Sequence, residues 1–255
     1  MFNRLSIETS SYCNRRCSTC LRQIQPDRES IKPWFTQNLL PTEVVYGILD
    51  QAHAMGFRER ICFNFYNEPM LDRRLPDFGK YAKKLGFSLV MFASNGDYLD
   101  EAMAKRLDGC FDSFNVSPYE NNTEARHIMT RSWFKKTRVR FTNGLHFRVH
   151  CFSGEDDELK ALVDRRCPNV SRNAVVNHRG DFLACCQEIV PHFNLGSIYE
   201  ASLKELWERK NSLIKKLIHT GGRRNYPYCS TCLRGSIKDY VPVVAKAPEL
   251  VNIDV

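Results

Sequence analysis

Two hydrophobic periods alternate along the first 150 residues. Short runs rich in β-branched and aromatic residues, at 5–9, 60–66, 87–93, 111–116, 138–141 and 145–152, read as strands. Segments of helical period lie between them. One spans 41–55, with Pro41 at its start and Gly56 beyond its end; others span 76–85 ahead of Gly86, 99–107 and 123–134. Strands alternating with helices imply a parallel sheet with right-handed crossovers. About six such units predict an α/β fold of the partial (β/α)6, TIM-like kind, an open barrel rather than a closed one of eight units.

The pattern changes near Cys167. Residues 173–177 and 181–185 flank His178-Arg179-Gly180 and read as a β-hairpin. A long amphipathic helix over 202–219 ends at Gly221 and Gly222, and 228–235 form a compact cysteine loop. The basic run from Lys210 to Arg224 reads largely as an exposed helix face. The expected organisation is a partial barrel over 1–152, a linker or helix over 153–166, a small α+β unit over 167–239, and a tail over 240–255. The tail either extends away or packs back on the body.

Hydrophobic content of 43% with 26% charged residues suits a folded globular chain. No apolar run approaches the roughly 18 residues of a membrane span. Residues 1–10 lack the basic lead and apolar core of a signal peptide, so a cytoplasmic location is expected. In that reducing compartment disulfides are rare, and eleven cysteines point to metal binding or chemistry. The net charge of +8 favours an anionic partner such as a nucleic acid, a phosphorylated substrate or an acidic peptide, against the plainer reading of a merely basic protein. The mixed basic and aromatic stretch 131–140 suits phosphate contact and stacking, or equally a solvated helix end.

The cysteines form two sets. Cys13, Cys17 and Cys20 offer three thiolates within eight residues of the loop after the first strand. Three thiolates leave one iron of a 4Fe–4S cluster open to a ligand. Structural zinc, the alternative, wants four ligands, and no histidine occurs in the first fifty residues. Cys167, Cys185, Cys229 and Cys232 are a full four-thiolate set, which suits zinc or a complete 4Fe–4S cluster; spacing alone does not choose. Three loops with chemical character, 13–20, 67–69 and 94–97, all follow strands, where parallel α/β sheets collect their chemistry.

Cys13-x-x-x-Cys17-x-x-Cys20 after the first strand resembles the signature of the radical S-adenosylmethionine (SAM) superfamily. Asn64-Phe65-Tyr66-Asn67-Glu68-Pro69 is similar to the family's Gly-Gly-Glu-Pro loop, with Asn67 where a glycine stands. Ser94-Asn95-Gly96 resembles the family segment near the SAM ribose and carboxylate. The hairpin, the Leu195-Gly196-Ser197-Ile198 segment, the following helix and the last Cys-x-x-Cys resemble the twitch domain, the short form of the SPASM extension.

By that resemblance the cofactors are SAM and two 4Fe–4S clusters. The open iron holds the SAM amino and carboxylate groups. Tyr66, Asn67, Glu68, Ser94 and Asn95 are the SAM contacts, and an external one-electron donor of flavodoxin or ferredoxin type supplies the electron. The resemblance also tilts the four-thiolate set to a cluster, which in a dehydrogenase of this family takes the electron left after a hydrogen atom is removed from a hydroxyl-bearing carbon.

Cys186, beside a ligand, is a candidate hydrogen-atom donor, an alternative ligand or a buried packing residue. Cys62, Cys110 and Cys151 read as packing. Arg148 and His150 share one face of the sixth predicted strand and are candidates to meet the substrate. Ser117 and Tyr119 are weaker candidates of the same kind.

The first functional expectation is a radical SAM enzyme, of oxidoreductase or isomerase type, acting on a small polar molecule. The alternatives are the same chemistry on a nucleobase or a peptide side chain, or a non-catalytic zinc-binding nucleic-acid adaptor. Peptide-modifying members usually carry an extra N-terminal domain, and four residues precede the first strand.

Overall fold

A computed structural model describes residues 2–17, 20–24, 28–36, 38–117, 124–141, 167–219, 221–230, 232 and 249–250. Its main sheet has seven strands: β1 (Arg4–Ile7), β3 (Arg60–Cys62), β4 (Leu89–Ser94), β5 (Ser113–Val116), β6 (Arg138–Phe141), β7 (Asn173–Val176) and β8 (Phe182–Leu183), in the order β6-β5-β4-β3-β1-β7-β8. Every neighbouring pair is parallel except β7 with β8. A separate antiparallel pair joins β2 (Arg15–Arg16) to β9 (Glu249–Leu250), so this part of the tail returns to the first cysteine loop.

The helices are short α1 (Leu21–Ile24) and α2 (Arg28–Ile31), then α3 (Thr42–Ala54), α4 (Leu75–Lys84), α5 (Glu101–Leu107), α6 (Glu124–Trp133), α7 (Pro168–Arg172), α8 (Leu203–Leu217) and α9 (Pro227–Ser230). The expected strand–helix alternation over 41–141 is present, with ends shifted by a residue or two. α3 presents Val45, Ile48, Leu49 and Ala52 at helical spacing to the core, and α4 presents Leu75, Phe78 and Ala82. They meet the buried side chains of β4 and β5, where Phe92 stacks on Phe114 at 4.9 Å and meets Phe111 edge-on at 4.7 Å. α8 starts at a capping box, Ser202 with Glu205, and its Trp207 packs against Phe2 at 4.8 Å. Among the described residues no helix is long and apolar enough to cross a membrane.

The strand predicted over 60–66 ends at Cys62. Beyond it, side chains compete with the ladder for backbone N–H groups. Phe65 donates to Asn67 Oδ1 at 3.0 Å and Tyr66 to Glu8 Oε1 at 2.9 Å. The predicted hairpin is β7–β8, turning through Gly180 at φ 85°, where a Cβ would come within 2.5 Å of the Tyr199 ring. β7 also pairs in parallel with β1, from Arg4 opposite Asn173 to Ile7 opposite Val176, so the cysteine-rich C-terminal segment shares the barrel's sheet. The basic run 210–224 departs from its expected exposure: Lys210 and Arg223 are buried, because Lys210 falls on the core stripe of α8 with Leu206 and Leu213. The predicted strand 145–152, with Arg148, His150 and Cys151, lies outside the described residues, as do the segment 153–166 and Tyr119.

Candidate functional site

β1 delivers the chain to a loop that carries Cys13, Cys17 and Cys20, and α1 begins immediately after Cys20. The Cys20 N–H donates to the Cys17 carbonyl at 2.9 Å, which makes the turn that brings the later two cysteines round. Burial pushes the Cys13 thiol up to about 12; a backbone bond at Arg15 and the Arg22 guanidinium pull the other way, while Glu68 and Cys20 add to the rise. A thiol so placed becomes a thiolate only with a metal, which deprotonates coordinating thiols outright. Arg22 also donates to the carbonyls of Ser11 at 3.0 Å and Tyr66 at 3.2 Å, which ties α1 to the loop after β3.

Glu68 is buried at the end of that loop. Its Oε1 accepts from Ser94 Oγ at 2.7 Å and Met70 N at 3.1 Å, and its Oε2 accepts from Asn95 N at 2.8 Å. Three of the carboxylate's roughly four acceptor directions are thus used within the protein. The structure brings the predicted Glu68, Ser94 and Asn95 together, with Glu68 as a clasp between the loop after β3 and the turn after β4. Gly96 in that turn has φ 78°, and a Cβ there would stand 2.7 Å from Val116 Cγ1. Asn67 accepts from Phe65 through Oδ1, and its buried Nδ2 has no partner among the described residues. A buried amide donor left open suits a ligand oxygen at this strand end.

The turn after β4 also grips the cysteine loop. Asn95 Nδ2 donates to Asn14 Oδ1 at 2.8 Å, Asn14 Nδ2 donates to Asp97 at 2.7 Å, and Arg15 forms an ion pair with Asp97. Asn14, Arg15 and Arg22 escaped the sequence reading, since only their position inside or just after the cysteine loop marks them.

Burial pushes Glu68 from its ordinary 4.5 up to about 7, against the pull of its hydrogen bonds to Asn95, Ser94 and Met70. Between those pH values the folded chain keeps a proton that the unfolded chain has lost. The contribution of Glu68 to the stability of the ligand-free chain is therefore full below pH 4.5 and is lost as pH rises to about 7. The slope from this group is up to about 1.4 kcal/mol per pH unit. Glu188 is raised to about 7 by burial as well and acts in the same direction. Melting temperatures of the apo chain across this window are expected to fall, and Glu68→Gln to flatten the slope by about half, Glu188 carrying the rest. An unchanged slope in the variant contradicts this assignment.

The second set is also gathered. Cys167 precedes α7, Cys185 follows β8, Cys229 lies in α9, and Cys232 N–H donates to the Cys229 carbonyl at 3.1 Å. Burial raises the Cys185 thiol well above its ordinary value, with further repulsion from Cys186, Cys167, Glu188 and Cys232. Burial likewise pushes Cys229 up to about 12, with Cys167 and Cys232 adding and Arg223 opposing. The four predicted thiols therefore feel one another's charge in one pocket. Among the described residues no three His, Cys, Asp or Glu side chains close round a point the size of one metal ion.

The two sets are linked. One apolar cluster of Leu21, Phe65, Tyr66, Val175, Leu183 and Ile189 has Cys20 packed on it from one loop and Cys186 from the other. Tyr66 Oη donates to the Cys186 carbonyl at 3.0 Å. Cys186 is half-buried, and its Sγ accepts a long contact from Gln187 Nε2 at 3.6 Å. Beside this cluster lies a buried pair that the sequence reading missed. His178 Nδ1 meets Glu8 Oε2 at 2.7 Å and His178 Nε2 faces the Trp34 carbonyl, which locks the hairpin turn to the end of β1. Cys62 and Cys110 are buried among core side chains, as expected. In the stretch 131–140, Lys135, Lys136, Arg138 and Arg140 are exposed.

Residues 167–233 match the SPASM family, described as an iron–sulfur cluster-binding domain. The S-adenosyl-L-methionine-dependent 2-deoxy-scyllo-inosamine dehydrogenase of Niallia circulans is 23% identical over 94% of this chain and 98% of its own length. The tungsten-containing aldehyde ferredoxin oxidoreductase cofactor-modifying protein of Pyrococcus furiosus is 30% identical over 46% of this chain and 32% of its own. Among solved structures, BtrN in complex with AdoMet and 2-DOIA superposes with a TM-score of 0.71 at 19% identity, covering 96% of this chain and 99% of that one. The native anSMEcpe structure with bound AdoMet gives 0.58 at 16% identity, covering 97% and 93%. At these identities the superpositions establish the fold.

Proposed function

We propose that this chain is a radical SAM enzyme with a SPASM-type iron–sulfur domain and that it oxidises a hydroxyl-bearing carbon of a small polar substrate. The observation that carries the proposal is that Cys20 of the first set and Cys186, the chain neighbour of Cys185 in the second, pack on one apolar cluster, with the Tyr66–Cys186 bond across it. A reaction that removes a hydrogen atom and then an electron needs both sites within reach of one substrate. Near-full-length similarity to a dehydrogenase of a small hydroxylated molecule supports the substrate class.

Cys13, Cys17 and Cys20 would hold one cluster, and Cys167, Cys185, Cys229 and Cys232 a second with every iron ligated by protein. The donor chemistry fits: burial pushes the thiols of Cys13, Cys185 and Cys229 up, and a bound metal would hold them as thiolates. When bound, SAM and the reduced first cluster supply a 5′-deoxyadenosyl radical, and the second cluster a one-electron acceptor. The chain's residues do the rest. Asn67 offers its unpartnered amide to a SAM oxygen, and Glu68 holds the Ser94–Asn95 turn in place beside it. The apolar wall of Phe65, Tyr66 and Leu183 excludes water that would quench a radical. Cys186 stands on that wall; its thiol would return a hydrogen atom to the substrate only in a redox-neutral reaction and takes no part in the oxidation. Arg148 and His150 are the candidates to accept the hydroxyl proton. An external one-electron donor of flavodoxin or ferredoxin type completes the cycle.

The hydroxyl-bearing carbon would lose a hydrogen atom to the 5′-deoxyadenosyl radical, giving 5′-deoxyadenosine. Its carbon–oxygen double bond would form as the hydroxyl proton leaves to a base or water and one electron leaves to the acceptor that a cluster on Cys167, Cys185, Cys229 and Cys232 would supply. The reconstituted chain, supplied with SAM, reductant and small polyols or aminocyclitols deuterated at the carbinol carbon, is expected to give deuterated 5′-deoxyadenosine and one ketone per SAM consumed. SAM turnover with deuterium retained in every polyol would overturn the substrate class, and a redox-neutral product would replace oxidation by isomerisation.

A further inference from the structure

Lys210 and Arg223 are the buried lysine and arginine among the described residues, and both lie beside the second cysteine set. Side chains of this kind are almost never fully buried unless paired, because removing the charge from water is costly. Lys210 projects from α8 with its amine donating to the Asn173 carbonyl, over the rings of Trp207 at 5.1 Å and Phe182 at 5.7 Å. No carboxylate forms a salt bridge with it among the described residues. Burial pulls its amine down to about 8, and the charges that hold it up come from Cys185, Glu188, Cys186 and Cys167. Arg223 donates from Nη1 to the Cys232 carbonyl at 2.8 Å, and its charge favours the Cys229 thiolate. Glu188, the carboxylate whose charge Lys210 feels, is turned to the backbone N–H groups of Ala184 and Phe193. Two buried cations therefore accompany the four thiols, more positive charge than packing alone explains.

We propose that Lys210, together with Arg223, sets the reduction potential of the auxiliary cluster, holding it high enough to accept an electron from the oxidised substrate carbon. The proposal rests on the reading that Cys167, Cys185, Cys229 and Cys232 ligate a cluster. A cubane on four thiolates is net negative, and one electron makes it more so. A fixed cation in a poorly polarisable site stabilises the reduced form more than the oxidised form and raises the potential. The electron comes from the substrate oxidation proposed above, and the accompanying proton leaves the hydroxyl oxygen to a base or water. Lys210 is not among the proposed cluster ligands and acts through charge.

The test is a dye-mediated redox titration of the anaerobically reconstituted full chain, followed by electron paramagnetic resonance. Lys210→Met is expected to lower the midpoint of the auxiliary cluster while leaving that of the N-terminal cluster unchanged; Lys210→Arg is expected to keep the wild-type midpoint. If Lys210→Met fails to load iron, Lys210→Gln, which keeps a donor for the Asn173 carbonyl, reads the charge instead. A neutral variant with full iron content and an unshifted auxiliary midpoint overturns the role of Lys210. Wild-type protein that holds a single cluster overturns the ligand reading itself, and iron content separates that failure from the first.

Discussion

Cys17→Ala is expected to abolish SAM cleavage, with 5′-deoxyadenosine falling by more than ~100-fold; even outer-shell changes at metal sites cost 10- to 100-fold. The effect follows from the donor count. Three thiolates are the smallest set that keeps one iron of a cubane open while holding the others, and two leave a second iron exposed to water. The fold is expected to survive, because Cys17 is outside the apolar clusters and its part in the loop is a carbonyl that accepts from Cys20 N–H, which alanine retains. Circular dichroism and the iron content of the second site check that the loss is chemical. Cleavage above a tenth of the wild-type rate in this variant contradicts the ligand assignment.

Cys232→Ala carries the second large effect, in the opposite pattern. SAM cleavage is expected near the wild-type rate, ketone formation is expected to vanish, and iron to fall from about eight to about four per chain. Cys232 contributes a thiol to the second set and a carbonyl to Arg223; the substitution removes the thiol alone. The first set is joined to the rest of the site by Asn14, Arg15 and Arg22, none of which involves Cys232. Uncoupled SAM consumption would therefore report a substrate radical formed without an electron acceptor. Full turnover by this variant would reduce the second site to a structural staple.

The alternation of strands and helices was legible because each period is local: a helix such as α3 declares its buried stripe within one run of residues. The first cysteine motif stands out for the same reason, since Cys13, Cys17 and Cys20 sit in one loop, whereas Cys167, Cys185, Cys229 and Cys232 come from separate segments. Features made by distant strands were not. Parallel pairing of β7 with β1 joins segments nearly 170 residues apart and leaves no turn between them to read. Glu68 was marked by its loop, but the use of its oxygens depends on Ser94 and Asn95 from the next strand. The Glu8–His178 pair spans 170 positions. Lys210 looked like one of several basic residues on an exposed helix until the packing of α8 put it on the buried stripe; composition gives the charge of a helix, not the face it turns inward.

If Cys13, Cys17 and Cys20 hold a cluster whose spare iron binds SAM, Mössbauer spectroscopy of chain reconstituted with isotopically enriched iron, before and after SAM is added, reads that iron itself. Cubane signals are expected from both cysteine sets, with one iron of the N-terminal cluster shifting to higher coordination when SAM binds. A spectrum indifferent to SAM, or a chain that takes up zinc in place of iron and sulfide, would refute the assignment.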